Sequence, residues 1–190
     1  MKRIVYILSV IVFYNCSSPS LGYQDKISYL PSETIEVFLD GNKNKQVEVP
    51  LYDINGKEIE RVKTTIFEQP EVDTSSWYEI GYQYKKTFDY LPSTLKSGIY
   101  YFDNSSPFIV KNSSKSNDVL VVYPSNTVNA YNDFGGKSAY NPKRTTSLSF
   151  RRPRGIEDFS KEFYKWLPSQ GFQADYICDK DLDQYQNIEN

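Results

Sequence analysis

Apolar and polar residues alternate along much of the first part of this chain. Ile35, Val37 and Leu39 alternate with Glu36 and Phe38, and Val47, Val49 and Leu51 repeat the pattern after the loop Asp40-Gly41-Asn42-Lys43-Asn44. A period of two puts successive side chains on opposite faces of a strand. The segment Asp53-Ile54-Asn55-Gly56-Lys57 holds an Asn-Gly pair, which suits the positive φ angles of a tight hairpin. Residues 59–66 are the predicted partner strand. Residues 78–88 are rich in tyrosine and read as extended. Leu91-Pro92-Ser93 breaks them, and 97–102 with 108–110 complete a meander. Short strands with turns at this spacing predict an all-β immunoglobulin-like sandwich over 23–112. About 90 residues suffice for an independent core.

The pattern changes after Lys111 to Asn117, a Ser/Lys/Asn linker that reads as a domain boundary. Val119 to Tyr123 is an apolar run, and Asp118 to Tyr123 is predicted to be a buried strand. Ser125 to Thr145 reads as a long loop and Thr146 to Phe150 as a second extended piece. Ile156, Phe159, Phe163, Trp166 and Leu167 recur at helical spacing. They predict a helix over 157–168 whose apolar face, Trp166 included, packs on a core. Ala174 to Cys178 is a second strand. Strand, helix, strand makes one βαβ unit, the start of an α/β domain with a flavodoxin-like parallel sheet over 117–190. Such a domain needs more than two strands, so it is expected to be truncated. Uncovered faces then predict poor stability for that half.

The first 16 residues follow a different logic. Lys2 and Arg3 precede an apolar run, Ile4 to Tyr14, too short to span a bilayer. The run ends at Cys16, followed by the polar tether 17–22. This arrangement resembles a bacterial lipoprotein signal, in which Cys16 is lipidated. A secretory signal with an incidental cysteine is the other reading. The lipoprotein reading places the protein in the cell envelope, membrane-anchored.

Composition removes several chemistries. The chain has no histidine, so Ser–His and Cys–His nucleophile systems and His-based zinc sites are excluded within it. A net charge of −2 argues against nucleic acid as a partner. Two cysteines make no disulfide framework. Cys178, in a strand, is expected to be buried and inert.

The segment after the apolar run is the richest in candidate chemistry. Asn129-Ala130-Tyr131-Asn132-Asp133-Phe134-Gly135-Gly136-Lys137-Ser138-Ala139-Tyr140 follows a strand's carboxyl end, where open α/β sheets place their sites. The same composition suits a surface turn. Arg151-Arg152-Pro153-Arg154-Gly155 reads as a solvated basic loop, with anion neutralisation as the alternative. Asp179, Asp181 and Asp183 alternate but lack the glycine and terminal glutamate of a calcium loop. They read as a solvated strand exit or a helix start.

The block from Asn126-Thr127 through Ala130-Tyr131-Asn132-Asp133-Phe134-Gly135-Gly136-Lys137-Ser138-Ala139-Tyr140 resembles the signature of the N,N-dimethylformamidase large (beta) subunit-like family. Phe150-Arg151-Arg152-Pro153, the run 163–181 and the upstream Leu91-Pro92 with Ser97-Gly98-Ile99-Tyr100 resemble it too. The resemblance spans roughly residues 85–183 and implies a glutamine-amidotransferase-like α/β domain preceded by β-rich ones. It implies hydrolysis of a small amide by one iron, held by two tyrosinates and a glutamate near a histidine. Tyr131 maps onto one tyrosinate. Tyr100 is the candidate for the second, with Tyr101 its rival. Asn132, Asp133 and Lys137 would orient the site, and Gly135 and Gly136 would shape the loop. The family's glutamate and histidine lie in a Gly-His-Asp-Glu-Tyr-Trp-like motif that this sequence does not contain.

Two functions follow as expectations. One is the N-terminal part of an iron-dependent amide hydrolase, inactive alone. The other is a lipid-anchored surface module that binds carbohydrate or peptide through its tyrosines.

Overall fold

A computed structural model of the chain describes residues 21–182 except 74, 115, 141–142 and 155–159. The signal segment with Cys16, most of the tether, helix residues Ile156 and Phe159, and Asp183 lie outside the described residues.

The protein is β-rich, with mixed sheets. The strands are β1 (Leu21–Gln24), β2 (Ser28–Tyr29), β3 (Ile35–Leu39), β4 (Lys45–Asp53), β5 (Glu58–Ile66), β6 (Phe88–Tyr90), β7 (Gly98–Phe102), β8 (Asn104–Ser105), β9 (Phe108–Val110), β10 (Val119–Tyr123) and β11 (Ala174–Cys178). The helices are α1 (Trp77–Ile80), α2 (Ser125–Tyr131) and α3 (Lys161–Ser169). One sheet has the order β6-β3-β1-β8, a second β2-β9-β7-β4-β5, and β10 pairs with β11 alone. β1–β8, β2–β9 and β10–β11 are parallel; the other pairs are antiparallel.

The alternation in β3 translates directly into packing. Ile35, Val37 and Leu39 are fully buried, and they meet Leu51, Phe102, Phe108 and Val110 of the five-stranded sheet in one core. The Asn-Gly turn forms as expected. Gly56 has φ +78°, and Asp53 Oδ1 accepts the N–H groups of Asn55 and Lys57 at 2.9 Å each. That pins the β4–β5 register, and β5 is left as the outer edge of its sheet.

The five-stranded sheet is covered on both faces. In β7 Ile99 points one way and Tyr100 and Phe102 the other; in β9 Ile109 opposes Phe108 and Val110. This explains why β9 is a continuous apolar run rather than an alternating one. Ile54, Ile99 and Ile109 share a second core with Val121 and Tyr123 of β10, Val128 of α2, Tyr164 and Leu167 of α3, and Tyr176 and Cys178 of β11. The β10–β11 pair therefore packs over the five-stranded sheet.

Four local expectations are corrected. Residues 78–88 are not uniformly extended: α1 and an irregular stretch precede β6. Ser125 to Thr145 is not all loop, because its first seven residues form α2. Residues 146–150 form no strand. The buried face of α3 is shifted by one residue. Tyr164 and Leu167 face the core, while Phe163 and Trp166 are 46% and 50% exposed and pack on each other. Tyr164 takes the inward position because its ring meets Tyr123, with centroids 5.8 Å apart.

Candidate functional site

The candidate segment begins where β10 ends. Pro124 stops the strand and α2 starts at Ser125. No side chain of its own caps the helix, and Asp179 does so from the turn after β11. Its carboxylate accepts the Ser125 hydroxyl and, at 2.9 Å, the Asn126 backbone N–H. An acid at this end satisfies an otherwise orphaned donor and opposes the positive end of the helix dipole. Ser125, Val128 and Asn129 face inward, so Tyr131 is carried to the outer end. It is 55% exposed and stacks on Tyr140, with centroids 4.3 Å apart and planes 20° apart.

The loop beyond α2 folds back over aromatic rings. Asn132 donates from Nδ2 to the Pro153 carbonyl at 3.1 Å and accepts the Phe134 N–H at Oδ1 at 3.0 Å. The Asp133 carbonyl accepts the Gly136 N–H at 2.6 Å, closing a tight turn. Gly135 has φ +86°, and a Cβ there would lie 2.6 Å from the Trp77 ring and 2.7 Å from the Tyr82 hydroxyl. Glycine is required here twice over, for the left-handed backbone and for the close approach. Gly136, at φ +96°, faces open space. Lys137 Nζ sits 3.9 Å from the centroid of the Tyr78 ring, a cation–π contact.

The basic turn is the largest departure from expectation. Arg151 is exposed, but Arg152 is fully buried and Arg154 is 4% exposed. Arg152 is held by neutral oxygens: Ser149 O at 3.0 Å, Lys137 O at 3.3 Å, and Asn129 O and Oδ1 at 3.1 Å each. It also lies 5.5 Å from the Trp77 ring centroid. Burial, with Arg154 beside it, brings its pKa down to about 10, so it stays charged at neutral pH. The guanidinium ties α2, the glycine loop and the 149–152 turn into one unit. The sequence reading missed Asn129 and Trp77, and an Asn inside a polar stretch gave no signal of this role.

The predicted ligands fall in different surroundings. Tyr100 lies in the sandwich core at 8% exposure, with its hydroxyl donating to the Lys96 carbonyl at 3.0 Å. Burial, reinforced by Asp53, pushes its pKa up to about 12. Its hydroxyl is thus engaged inside the core, whereas the Tyr131 ring is exposed. Tyr101 is half-buried against Tyr52, with centroids 5.4 Å apart. Among the described residues, no group of three or more His, Cys, Asp or Glu side chains is placed to hold a metal ion. The acidic run is the helix start rather than the solvated exit: Asp179–Asp181 form a 3-10 turn, and Asp181 is 5% exposed with its Oδ1 accepting Lys111 Nζ at 2.6 Å and Ser28 Oγ at 2.9 Å. Cys178 is buried, as expected, and burial pushes its thiol up, away from thiolate.

With this arrangement in view, comparison with protein families is decisive. A family described as N,N-dimethylformamidase beta subunit-like, C-terminal, matches residues 46–190. The chain belongs to this family. The match begins in β4, well upstream of the segment whose motifs resemble the family, so the dimethylformamidase-like region takes in most of the five-stranded sheet. Comparisons with curated proteins and with solved structures give no match. The dimethylformamidase beta subunit-like segment thus includes both the helix bearing Tyr131 and the buried Arg152 that anchors it.

Proposed function

We propose that the protein serves a cell-envelope system that hydrolyses carbon–nitrogen amide bonds, and that this chain supplies the frame around Tyr131 rather than a complete metal centre. Family membership over residues 46–190 carries this reading. In it, residues 23–112 are an immunoglobulin-like sandwich, and 117–190 open an α/β domain of the glutamine-amidotransferase type. Cys16 carries the lipid anchor through the tether 17–22. Tyr131 is exposed, together with its stacking partner Tyr140, and is open to a ligand from outside the chain. Tyr140 sets a second phenol against Tyr131, and among the described residues no group of three His, Cys, Asp or Glu side chains is placed to complete a metal centre there.

The test is metal content and amide hydrolysis, measured on the purified chain and on any longer in-frame product of its gene. The chain alone is expected to be colourless and inactive toward small N,N-dialkylamides. A product that adds the Gly-His-Asp-Glu-like motif is expected to bind iron with a visible phenolate-to-iron band, lost in Tyr131→Phe. Iron binding or hydrolysis by the chain alone would sink the frame reading. Mass spectrometry of the mature N-terminus tests the lipid on Cys16.

One observation favours a second reading, a surface module for carbohydrate or peptide. A cavity of about 700 Å³ opens between the sandwich edge and β11, lined by Asp53, Asn55, Lys96, Tyr100, Gln173 and Tyr176 among others. Polar groups with aromatic walls suit such ligands. Binding lost in Tyr176→Ala but kept in Tyr131→Phe would favour this reading.

A further inference from the structure

Arg154 is treated quite differently from Arg152, two residues away. It is 4% exposed, yet its Nε and Nη1 have no hydrogen-bond partner among the described residues. Among the described residues, the groups that favour its charge are Tyr123, Tyr29 and Cys178, none of them a carboxylate. Tyr29 shares its one hydroxyl proton between Asp25 Oδ1 and the Lys26 carbonyl, and burial pushes its pKa up. Among the described residues, three acids of neighbouring segments are committed elsewhere. Asp179 caps α2, Asp181 pairs with Lys111, and Asp25 accepts from Tyr29 and the Glu36 N–H.

A second cation converges on the same place. The Phe150 ring centroid lies 5.8 Å from the Arg154 guanidinium carbon and 3.4 Å from Lys180 Nζ. Lys180 is exposed and follows β11. Tyr123 ends β10 and Cys178 ends β11. Both cations thus touch the Phe150 ring near the carboxyl end of the parallel pair, where α/β sheets bind ligands. A buried guanidinium with open N–H groups is costly unless an acceptor completes it. Its planar donors match an oxyanion, and burial strengthens such charge-assisted bonds.

We propose that Arg154 and Lys180 form the receptor for a small oxyanion, seated beside Phe150 at the carboxyl end of β10 and β11. Arg154 supplies the buried donors, and Lys180 supplies a charge at the rim. This assignment does not rest on the amide-hydrolase reading.

The test follows thermal unfolding of the full chain against sodium acetate and, separately, inorganic phosphate, with chloride balancing ionic strength. At least one is expected to raise the midpoint saturably. A response to acetate assigns a carboxylate ligand, and a response to phosphate assigns a phosphate-bearing one. Lys180→Ala is expected to weaken the apparent affinity about tenfold, the usual scale of one charge-assisted contact. Arg154→Met is expected to abolish the shift while leaving the anion-free midpoint no lower, because it removes an uncompensated buried charge. Lys57→Ala, at an exposed turn, is expected to change nothing. If Arg154→Met fails to fold, Lys180→Ala carries the test. The proposal is overturned if the wild type shows no saturable shift, as when an acid of the chain itself neutralises Arg154. Full affinity retained in Lys180→Ala overturns it as well.

Discussion

The core between the two larger sheets and the core beneath β10 and β11 are built on different physics. The first is almost wholly apolar: Ile35, Val37, Leu39, Leu51, Phe102, Phe108 and Val110 leave little polar surface inside. The second is edged by buried charge, with Arg152, Arg154, Asp175 and Asp181 all at 5% exposure or less. Apolar burial is non-directional and tolerates small shifts. Buried charge demands specific partners, and each lost partner leaves a full desolvation cost. The first region reads as scaffold. The second holds its parts in one arrangement, and the candidate segment belongs to it.

The sharpest way to break this contrast is Phe102→Ala. Phe102 is fully buried and ringed by Phe88, Tyr90 and Phe108, with centroids 5.2–5.5 Å away. The cavity is expected to cost about 3–5 kcal/mol, read from denaturant unfolding, with no change in pH dependence. Lys111→Met attacks the other region. It strands Asp181, and a loss of about 3 kcal/mol is expected from an uncompensated buried carboxylate. A cost near zero would show that water reaches Asp181.

Asp175 tests the polar region through pH. Burial alone would raise its carboxyl, but donors from Ser116 and Asn117 at 2.8–3.0 Å outweigh this and bring it down to about 2. Its folded pKa lies below the unfolded value of about 3.9. The stability it contributes is therefore full above about pH 4 and is lost as pH falls toward 2. Asp175→Asn is expected to cost about 2 kcal/mol at pH 7 and to flatten the acid limb of stability against pH. An unchanged acid limb would remove Asp175 from the account.

The two loop glycines give smaller, graded effects. Gly135→Ala must strain the backbone and push into Trp77, for about 2 kcal/mol, whereas Gly136→Ala carries only backbone strain of about 1 kcal/mol. Equal losses would mean that the Trp77 contact yields. Trp166→Ser, at a half-exposed position, is expected to move stability by no more than about 0.5 kcal/mol.

Much of the apolar region was legible in the sequence because alternation and turn chemistry are local. The period-two run at Ile35 and the Asn-Gly pair each determine backbone geometry within a few residues. The parallel pairing of β10 with β11 followed from two apolar runs with a helix between them. The polar region was harder to read. α2 carries just three inward residues, Ser125, Val128 and Asn129, so its helical period is faint and its cap comes from Asp179, far along the chain. Arg152 looked solvated because its partners are mostly backbone carbonyls, which no side-chain pattern announces. Trp166 looked buried because hydrophobicity alone could not tell which of two adjacent stripes on α3 would face Tyr123. For the candidate site, the motif pointed to the Tyr131 segment, while the surroundings of Tyr100 depended on the long-range packing of both sheets.

The outer position of β5 has a consequence for how copies of this protein meet one another. A nine-residue strand with an open edge is a template for intermolecular pairing. Here Glu58, Glu60, Arg61 and Lys63 crowd that strand, with Arg61 paired to Glu58 at 2.6 Å and Lys63 to Glu48 at 3.4 Å. An incoming strand would have to strip water from these charges before gaining its ladder. The hairpin thus acts as a guard against fibre-like association, a protection that matters most where copies are crowded together.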